Sequence, residues 1–245
     1  TKLLEEETKA KKAITSADDI IKESEKLLKE IPNQISNATN AVNEFNKVKE
    51  KADNAKIAEL YKNSIKKEVS DVAKSAAALE TLKTNLTNLQ NKIDKGLKDF
   101  RETINKPAKD ADKIKGLINS LNDIVKNAED TKNKLEKKTT GLKTLTETLD
   151  NNIDDATGPF NEKTETFVVS SVEDFAKIAE YKSKIKFLYI EGDVTYVQAS
   201  VGRELNNLQY VNLSSKVKEI RDDAFNGLDK LETVVVDKSN PGLSV

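Results

Sequence analysis

The 245-residue chain has no Cys, no His, no Met and no Trp. Without Cys there is no disulfide, no thiolate metal site and no cysteine nucleophile. Without His there is no Ser-His-Asp arrangement, no imidazole metal ligand and no imidazole base near neutral pH. Carboxylate and lysine chemistry survive this test, yet no pair of carboxylates is singled out by spacing. Glycine-rich phosphate loops and nucleophile elbows are missing as well. The expectation is therefore a protein that is not an enzyme, with no catalytic residue, no cofactor and no metal. Because it lacks an initiator Met, the chain is expected to be a processed or excised piece of something larger. The apolar runs, Phe167-Val168-Val169 and Val234-Val235-Val236 among them, fall far short of the ~20 residues that cross a bilayer.

Charged side chains make up 34% of the residues, 41 basic against 42 acidic, while aromatics make up 5%. So few bulky side chains favour long solvated helices with narrow apolar seams over one large globular core. The aromatics are unevenly placed: of seven Phe and five Tyr, only Phe45, Tyr61, Phe100 and Phe160 precede Asn161. The shift coincides with Gly158-Pro159, a strong local breaker, which follows the polar stretch holding Asp150, Asn151, Asn152, Asp154 and Asp155. The domain organisation expected is a helical domain over 1–157, a linker over 158–164 and a second domain over 165–245.

Within the first part, Ala10, Ile14, Ala17, Ile21, Ser24, Leu28 and Ile31 recur at gaps of four and three. Pro32 is expected to end that helix, since proline disfavours the α conformation in the residue before it. Ile65, Val69, Val72, Ala76, Leu79, Leu82, Leu86, Leu89, Ile93, Leu97, Phe100 and Ile104 then form an unbroken seam with a mean period near 3.5. After Pro107, which suits a first helical turn, a third seam runs Ile114, Ile118, Leu121, Val125 and Ala128. It continues through Leu135, Leu142, Leu145, Leu149 and Ile153, interrupted by Lys132 and Thr139. Stripes this narrow bury against another helix and leave the other faces wet. Short links make neighbours antiparallel, so the first domain is expected to be a long antiparallel coiled-coil bundle. Either 33–105 is one continuous helix in an elongated assembly, or it breaks near Asp53-Asn54.

The last part repeats itself. Ile185, Leu188, Ile190, Val194 and Val197 map onto Leu208, Val211, Leu213, Val217 and Ile220 at an offset of 23. The same step reaches Leu231, Val234 and Val236, fails at Asn240 and recovers at Leu243. This is the L-x-x-L-x-L spacing of leucine-rich repeats, with a period inside their range. Each unit supplies a short strand whose alternate residues face inward, and stacking closes the core. Upstream, Thr166-Phe167-Val168-Val169 reads as a strand. Ser170 or Ser171 is then expected to cap a helix over 172–181, with Glu173 and Asp174 in its first turn.

Ile220-Arg221-Asp222-Asp223-Ala224-Phe225-Asn226-Gly227-Leu228 followed by Leu231-Glu232-Thr233-Val234 resembles a BspA-like leucine-rich repeat. That family alternates I-x-x-x-A-F-x-G-C segments with L-x-x-V-x-L strands. Leu228 stands where the family has Cys, and Val201-Gly202 stands in the preceding unit where Ala-Phe would fall. Asp237-Lys238-Ser239-Asn240-Pro241 is similar to the family's post-strand loop. The likeness covers about 185–245. The fold class expected is α+β multidomain, the helical bundle followed by a small leucine-rich-repeat solenoid. The strand–helix unit over 165–184 lacks the repeat and is expected to cap the open end of the stack. With about three repeat strands present, the protein is expected to continue beyond Val245. The BspA-like resemblance implies surface exposure and adhesion.

A stack of this kind displays the strand residues that do not point inward. They form ladders: Phe187, Tyr210 and Thr233; Tyr189, Asn212 and Val235; Glu191, Ser214 and Asp237. Phe187, Tyr189, Tyr210, Asn212 and Val235 are the candidate partner-binding residues, aromatics with polar neighbours being common anchors. Cover by the helical domain or by neighbouring strands is the competing reading. Asp150, Asn152 and Asp154 begin a calcium-loop spacing, but Asp155 replaces its glycine and Asn161 its final Glu. Asn37, Asn85 and Asn212 head glycosylation sequons that the abundance of Asn explains. Lys11-Lys12, Lys66-Lys67 and Lys137-Lys138 are offset by nearby acids, so no nucleic-acid partner is expected; Glu5-Glu6-Glu7 reads as a wet helix end. The function expected is a microbial cell-surface or secreted protein, its helices a stalk and its repeats an adhesive module for a host surface or matrix protein. The alternative is an intracellular or envelope scaffolding coiled coil, and self-association through the helices stays open.

Overall fold

The computed structural model describes residues 2–106, 110–203, 205–237, 239 and 243. Pro107, most of the expected post-strand loop and Val245 lie outside them. The described chain is mostly helical, with a small mixed sheet near its C-terminal end. Four helices come first: α1 (Lys2–Thr15), α2 (Asp18–Asn54), α3 (Glu59–Ile104) and α4 (Ala111–Thr157). The chain pauses after α1 where the Thr15 and Ser16 hydroxyls donate to the carbonyls of Lys11 and Ala13. Helix α2 then restarts on Asp18 and Asp19, whose charges suit the positive end of the helix dipole.

Pro32 does not end a helix; it lies inside α2. A proline there removes one backbone hydrogen bond and costs roughly 3 kcal/mol. The apolar face runs through it, however, with Leu27, Ile31, Ala38, Ala41 and Phe45 all buried. Continuous burial on both sides holds the helix together across the lost bond. The break comes at Ala55 instead, so 33–105 is not one helix. There the Ala58 amide donates to the Ala156 carbonyl at 3.3 Å, and Lys51 pairs with both Asp150 and Asp154.

The chain forms two compact units, Thr1–Lys49 with Ser70–Glu147, and Glu50–Val69 with Thr148–Val245. In the first, Ala10, Ala13 and Ala17 pack with Phe100, Ala111 and Ile114 in one cluster. Gly96 approaches the Leu121 side chain so closely that a Cβ would sit 3.1 Å from it, and Arg101 reaches Glu25 at 2.7 Å. Along α4 the buried positions step by three and four through Val125, Ala128, Lys132, Leu135, Thr139, Leu142 and Thr146. The expected seam member Leu145 is 43% exposed, and Thr146 takes its place. A seam that steps four from Leu135 to Thr139 and three to Leu142 must next step four, and Leu145 falls one residue short. Lys132, Thr139 and Thr146 thus occupy one seam position in successive heptads. Lys132 reaches Glu30 of α2 at 2.7 Å and Glu129 at 3.0 Å, while the Thr139 hydroxyl donates to the Leu135 carbonyl at 2.7 Å.

In the second unit a five-stranded sheet has the order β1 (Phe160–Asn161), β2 (Thr166–Val169), β3 (Phe187–Ile190), β5 (Tyr210–Leu213), β7 (Thr233–Val236). β1 and β2 are antiparallel and every later pair is parallel. A second sheet joins β4 (Tyr196–Val197) to β6 (Glu219–Ile220), also in parallel. Thr166 faces Phe187, Phe187 faces Tyr210 and Tyr210 faces Thr233. Residues 172–181 are not one α-helix. A 3-10 turn over Val172–Lys177 precedes a single turn, α5 (Ile178–Tyr181). The Asp174 carboxylate accepts from the Ser170 and Ser171 amides, each at 3.0 Å. Phe167, Val169, Phe175 and Ile178 share one core with Ile185, Leu188, Ile190, Val194, Val197, Leu208, Val211, Leu213 and Val217.

Candidate functional site

Strand alternation decides which side chains the sheet shows. In β3 and β5, Leu188, Ile190, Val211 and Leu213 point into the core, and Phe187, Tyr189, Tyr210 and Asn212 point the other way, half-buried. Parallel pairing without slip puts Phe187 beside Tyr210 and Tyr189 beside Asn212. The rings meet in tilted pairs, with centroids 6.1 Å apart for Phe187 and Tyr210 and 5.6 Å apart for Tyr189 and Tyr210. Such geometry brings the positive edge of one ring toward the negative face of its neighbour. The Asn212 amide nitrogen donates to the Tyr210 hydroxyl at 3.4 Å. Burial pushes the Tyr189 phenol above its ordinary pKa, and Tyr210, Tyr61 and Glu191 act in the same direction. The face can stack on flat or aliphatic groups and offers an amide and hydroxyls for hydrogen bonds.

The third rung differs. Val235 lies beside Asn212 and is half-buried, while Thr233 is exposed. Val234 and Val236, expected inside by the offset of 23, are 45% and 36% exposed. Among the described residues β7 is the edge strand of the sheet, and no further described strand adds the layer that covers Leu188 and Val211 in the earlier units.

Glu191, the outward residue just past β3, is already engaged: its carboxylate accepts from the Glu59 amide at the start of α3, at 3.0 Å. The Tyr61 and Thr164 hydroxyls lie 3.2 Å apart. The β3 end of the ladder thus meets the first turn of α3, and Tyr210, Asn212, Thr233 and Val235 form its other end. Nothing in the repeat points to Glu59 or Tyr61; the only signal was the isolated aromatic in an otherwise aromatic-poor stretch. Also unforeseen is Arg221, whose guanidinium lies 3.6 Å from the centre of the Tyr196 ring in the β4–β6 layer.

Asp150, Asn152 and Asp154 lie on helix α4 instead of in a loop. The two carboxylates hold Lys51, and the Asn152 amide donates to Glu68 at 2.7 Å. Among the described residues, no group of three or more Asp and Glu is placed to hold a metal ion. No described helix is long and apolar enough to cross a membrane. Comparison with family models, curated proteins and solved structures finds no match.

Proposed function

We propose that the C-terminal part is a short leucine-rich-repeat solenoid of the BspA-like type and that its outer sheet face binds a protein partner. In this reading the strand–turn unit over 165–184 is the N-terminal cap. The helices over 1–157 are a stalk that presents the repeats at a microbial cell surface or in a secreted protein. One observation carries the reading: the sequence period and the strand register are the same, Phe187 over Tyr210 over Thr233. A solenoid requires that identity, because each repeat must present the same residue at the same height. The aromatic cluster of Phe187, Tyr189 and Tyr210, extended by Asn212 and Val235, is the contact surface. Such rings supply large contact area at low entropic cost. The module acts as an adhesin, and its partner is a host surface or matrix protein.

The test is surface binding of the full chain to fibronectin, laminin and collagen, compared with a Tyr189→Ser, Tyr210→Ser variant. Binding by the wild type that falls about tenfold or more in the variant, with an unchanged melting curve, is the expected result. Failure to bind any of the three, or equal binding by the variant, overturns the assignment.

A further inference from the structure

Helix α4 carries a second stripe outside its seam: Lys134, Lys138, Gly141 and Leu145, at steps of four, three and four. With Lys137, Leu142 and Ser75 of α3 they line an open groove of about 430 Å³. The groove is apolar where Leu145 stands out of the seam, and Ser75 and Gly141 leave it without bulk; a Cβ built on Gly141 meets no atom within 4 Å. Lys134, Lys137 and Lys138 make no ion pair among the described residues, whereas Lys132 nearby on the same helix is held by two carboxylates.

The opposite chemistry occurs at the start of α1. Leu3 and Leu4 are 81% and 70% exposed, and Glu5, Glu6 and Glu7 follow them, all exposed. Among the described residues only Glu6 of the three is paired, with Lys9. This turn cannot reach the groove of its own chain. Ala10 is packed in a cluster with Ile114, and Lys134 lies 20 residues further along α4, roughly 30 Å at ~1.5 Å per residue. Leu3 is only seven residues from Ala10, about 10 Å of helix.

We propose that the groove is a self-association site and that its occupant is the first turn of α1 from a second copy of this chain. Leu3 and Leu4 of one copy cover Leu145 and the shallow floor at Gly141. Glu7, one turn on from Leu3 and Leu4 and on their face of α1, meets Lys134, Lys137 and Lys138 of the other, and Glu5 and Glu6 add negative charge from the flanks of the helix. This contact is independent of the adhesive reading and uses none of its residues.

Sedimentation equilibrium of the full chain at low salt tests it. The average mass rises with concentration up to about 200 μM and falls back as salt rises from 0.05 to about 1 M, because exposed pairs are screened over a few ångströms at that strength. Lys134→Glu, Lys137→Glu, Lys138→Glu in one variant and Glu5→Lys, Glu6→Lys, Glu7→Lys in another each weaken association about tenfold or more. Their equimolar mixture recovers it, since the reversed charges again match. Leu145→Ser weakens association without changing the charge. The substituted side chains are exposed, so circular dichroism and melting stay as in the wild type. A wild type that remains monomeric, reversed variants that associate as before, or a mixture that fails to recover each overturns the proposal.

Discussion

The Glu191 carboxylate accepts a hydrogen bond from the Glu59 amide at 3.0 Å, so a residue of the repeat ladder caps the long helix α3. The first amides of a helix have no partner within it, and the positive end of the dipole adds an attraction for the carboxylate. Glu191→Ala should lower stability by about 1 kcal/mol, with Glu191→Gln keeping part of it. Urea unfolding followed by circular dichroism measures the loss. Hydrogen exchange at Glu59 and its neighbours should speed up in the alanine variant, and unchanged exchange would mean that the cap carries no weight.

Lys132 sits in the α4 seam where an apolar residue would ordinarily stand. Burial disfavours its charge, but the hydrogen bonds it donates to Glu30 and Glu129 outweigh that and raise its pKa above the ordinary lysine value. A raised folded pKa stabilises fully below the unfolded value of about 10.4 and stops doing so as pH rises through the folded one. Lys132→Leu fills the seam; the Glu30 and Glu129 side chains, 38% and 36% exposed, lose their partner and must swing toward water, Glu129 from a position where its Oε2 is buried without a hydrogen bond. The variant should therefore be as stable as the wild type or about 1 kcal/mol more so, and its decline in alkali should be shallower by a part only, because Lys51, Lys177 and Tyr189 are also shifted upward. Thermal melts at pH 7 and above pH 10 decide it; a loss at pH 7 would show that the ion pair outweighs apolar packing.

Asp174 gives a prediction in acid. Burial works against its charge, yet Lys177 at 2.9 Å and the Ser170 and Ser171 amides at 3.0 Å hold the carboxyl below the usual range. Such a group binds fewer protons folded than unfolded. Its stabilisation is complete above the unfolded pKa of about 4 and disappears as pH falls through the folded value. Denaturant unfolding between about pH 5.5 and 3 should show a steeper decline in the wild type than in Asp174→Asn. The difference will be partial, because Glu30, Glu162, Glu173, Asp193 and Asp237 are also shifted downward. Equal slopes would remove Asp174 from the acid response.

What could be read from the residues follows from how strongly each pattern is determined. The offset of 23 pairs Leu188 with Val211 and Ile190 with Leu213, because slipping one residue would turn every inward side chain outward. The twelve seam residues from Ile65 to Ile104 are all buried or half-buried for the same kind of reason. Pro32 misled because its cost is local, while the burial of Ile31, Ala38 and Phe45 around it is collective. Leu145 leaves the seam because phase outranks apolarity: the heptad needs a residue at 146, and threonine fills it. The outward ladder was legible as a set of positions. Its engagement by Glu59 was not, since a contact between residues 132 positions apart leaves no periodic trace.

Gly202 gives the sharpest test of how closely the repeats stack. Its amide donates to the Ala224 carbonyl at 2.7 Å, joining consecutive units at the positions where the sequence departs from Ala-Phe. A Cβ at residue 202 would lie 2.7 Å from that same carbonyl oxygen and 2.9 Å from the Leu228 side chain. Leucine could rotate away, but the carbonyl belongs to backbone held by the next repeat. Gly202→Ala must therefore push the two units apart, at a cost of about 1–3 kcal/mol by analogy with overpacked cores. Leu228→Ala relieves only the softer half of the clash, so the double variant should recover no more than part of the loss. Urea unfolding of the two single variants and the double variant measures this coupling. Full recovery by Leu228→Ala would mean that the carbonyl moves freely and that the units are not closely stacked.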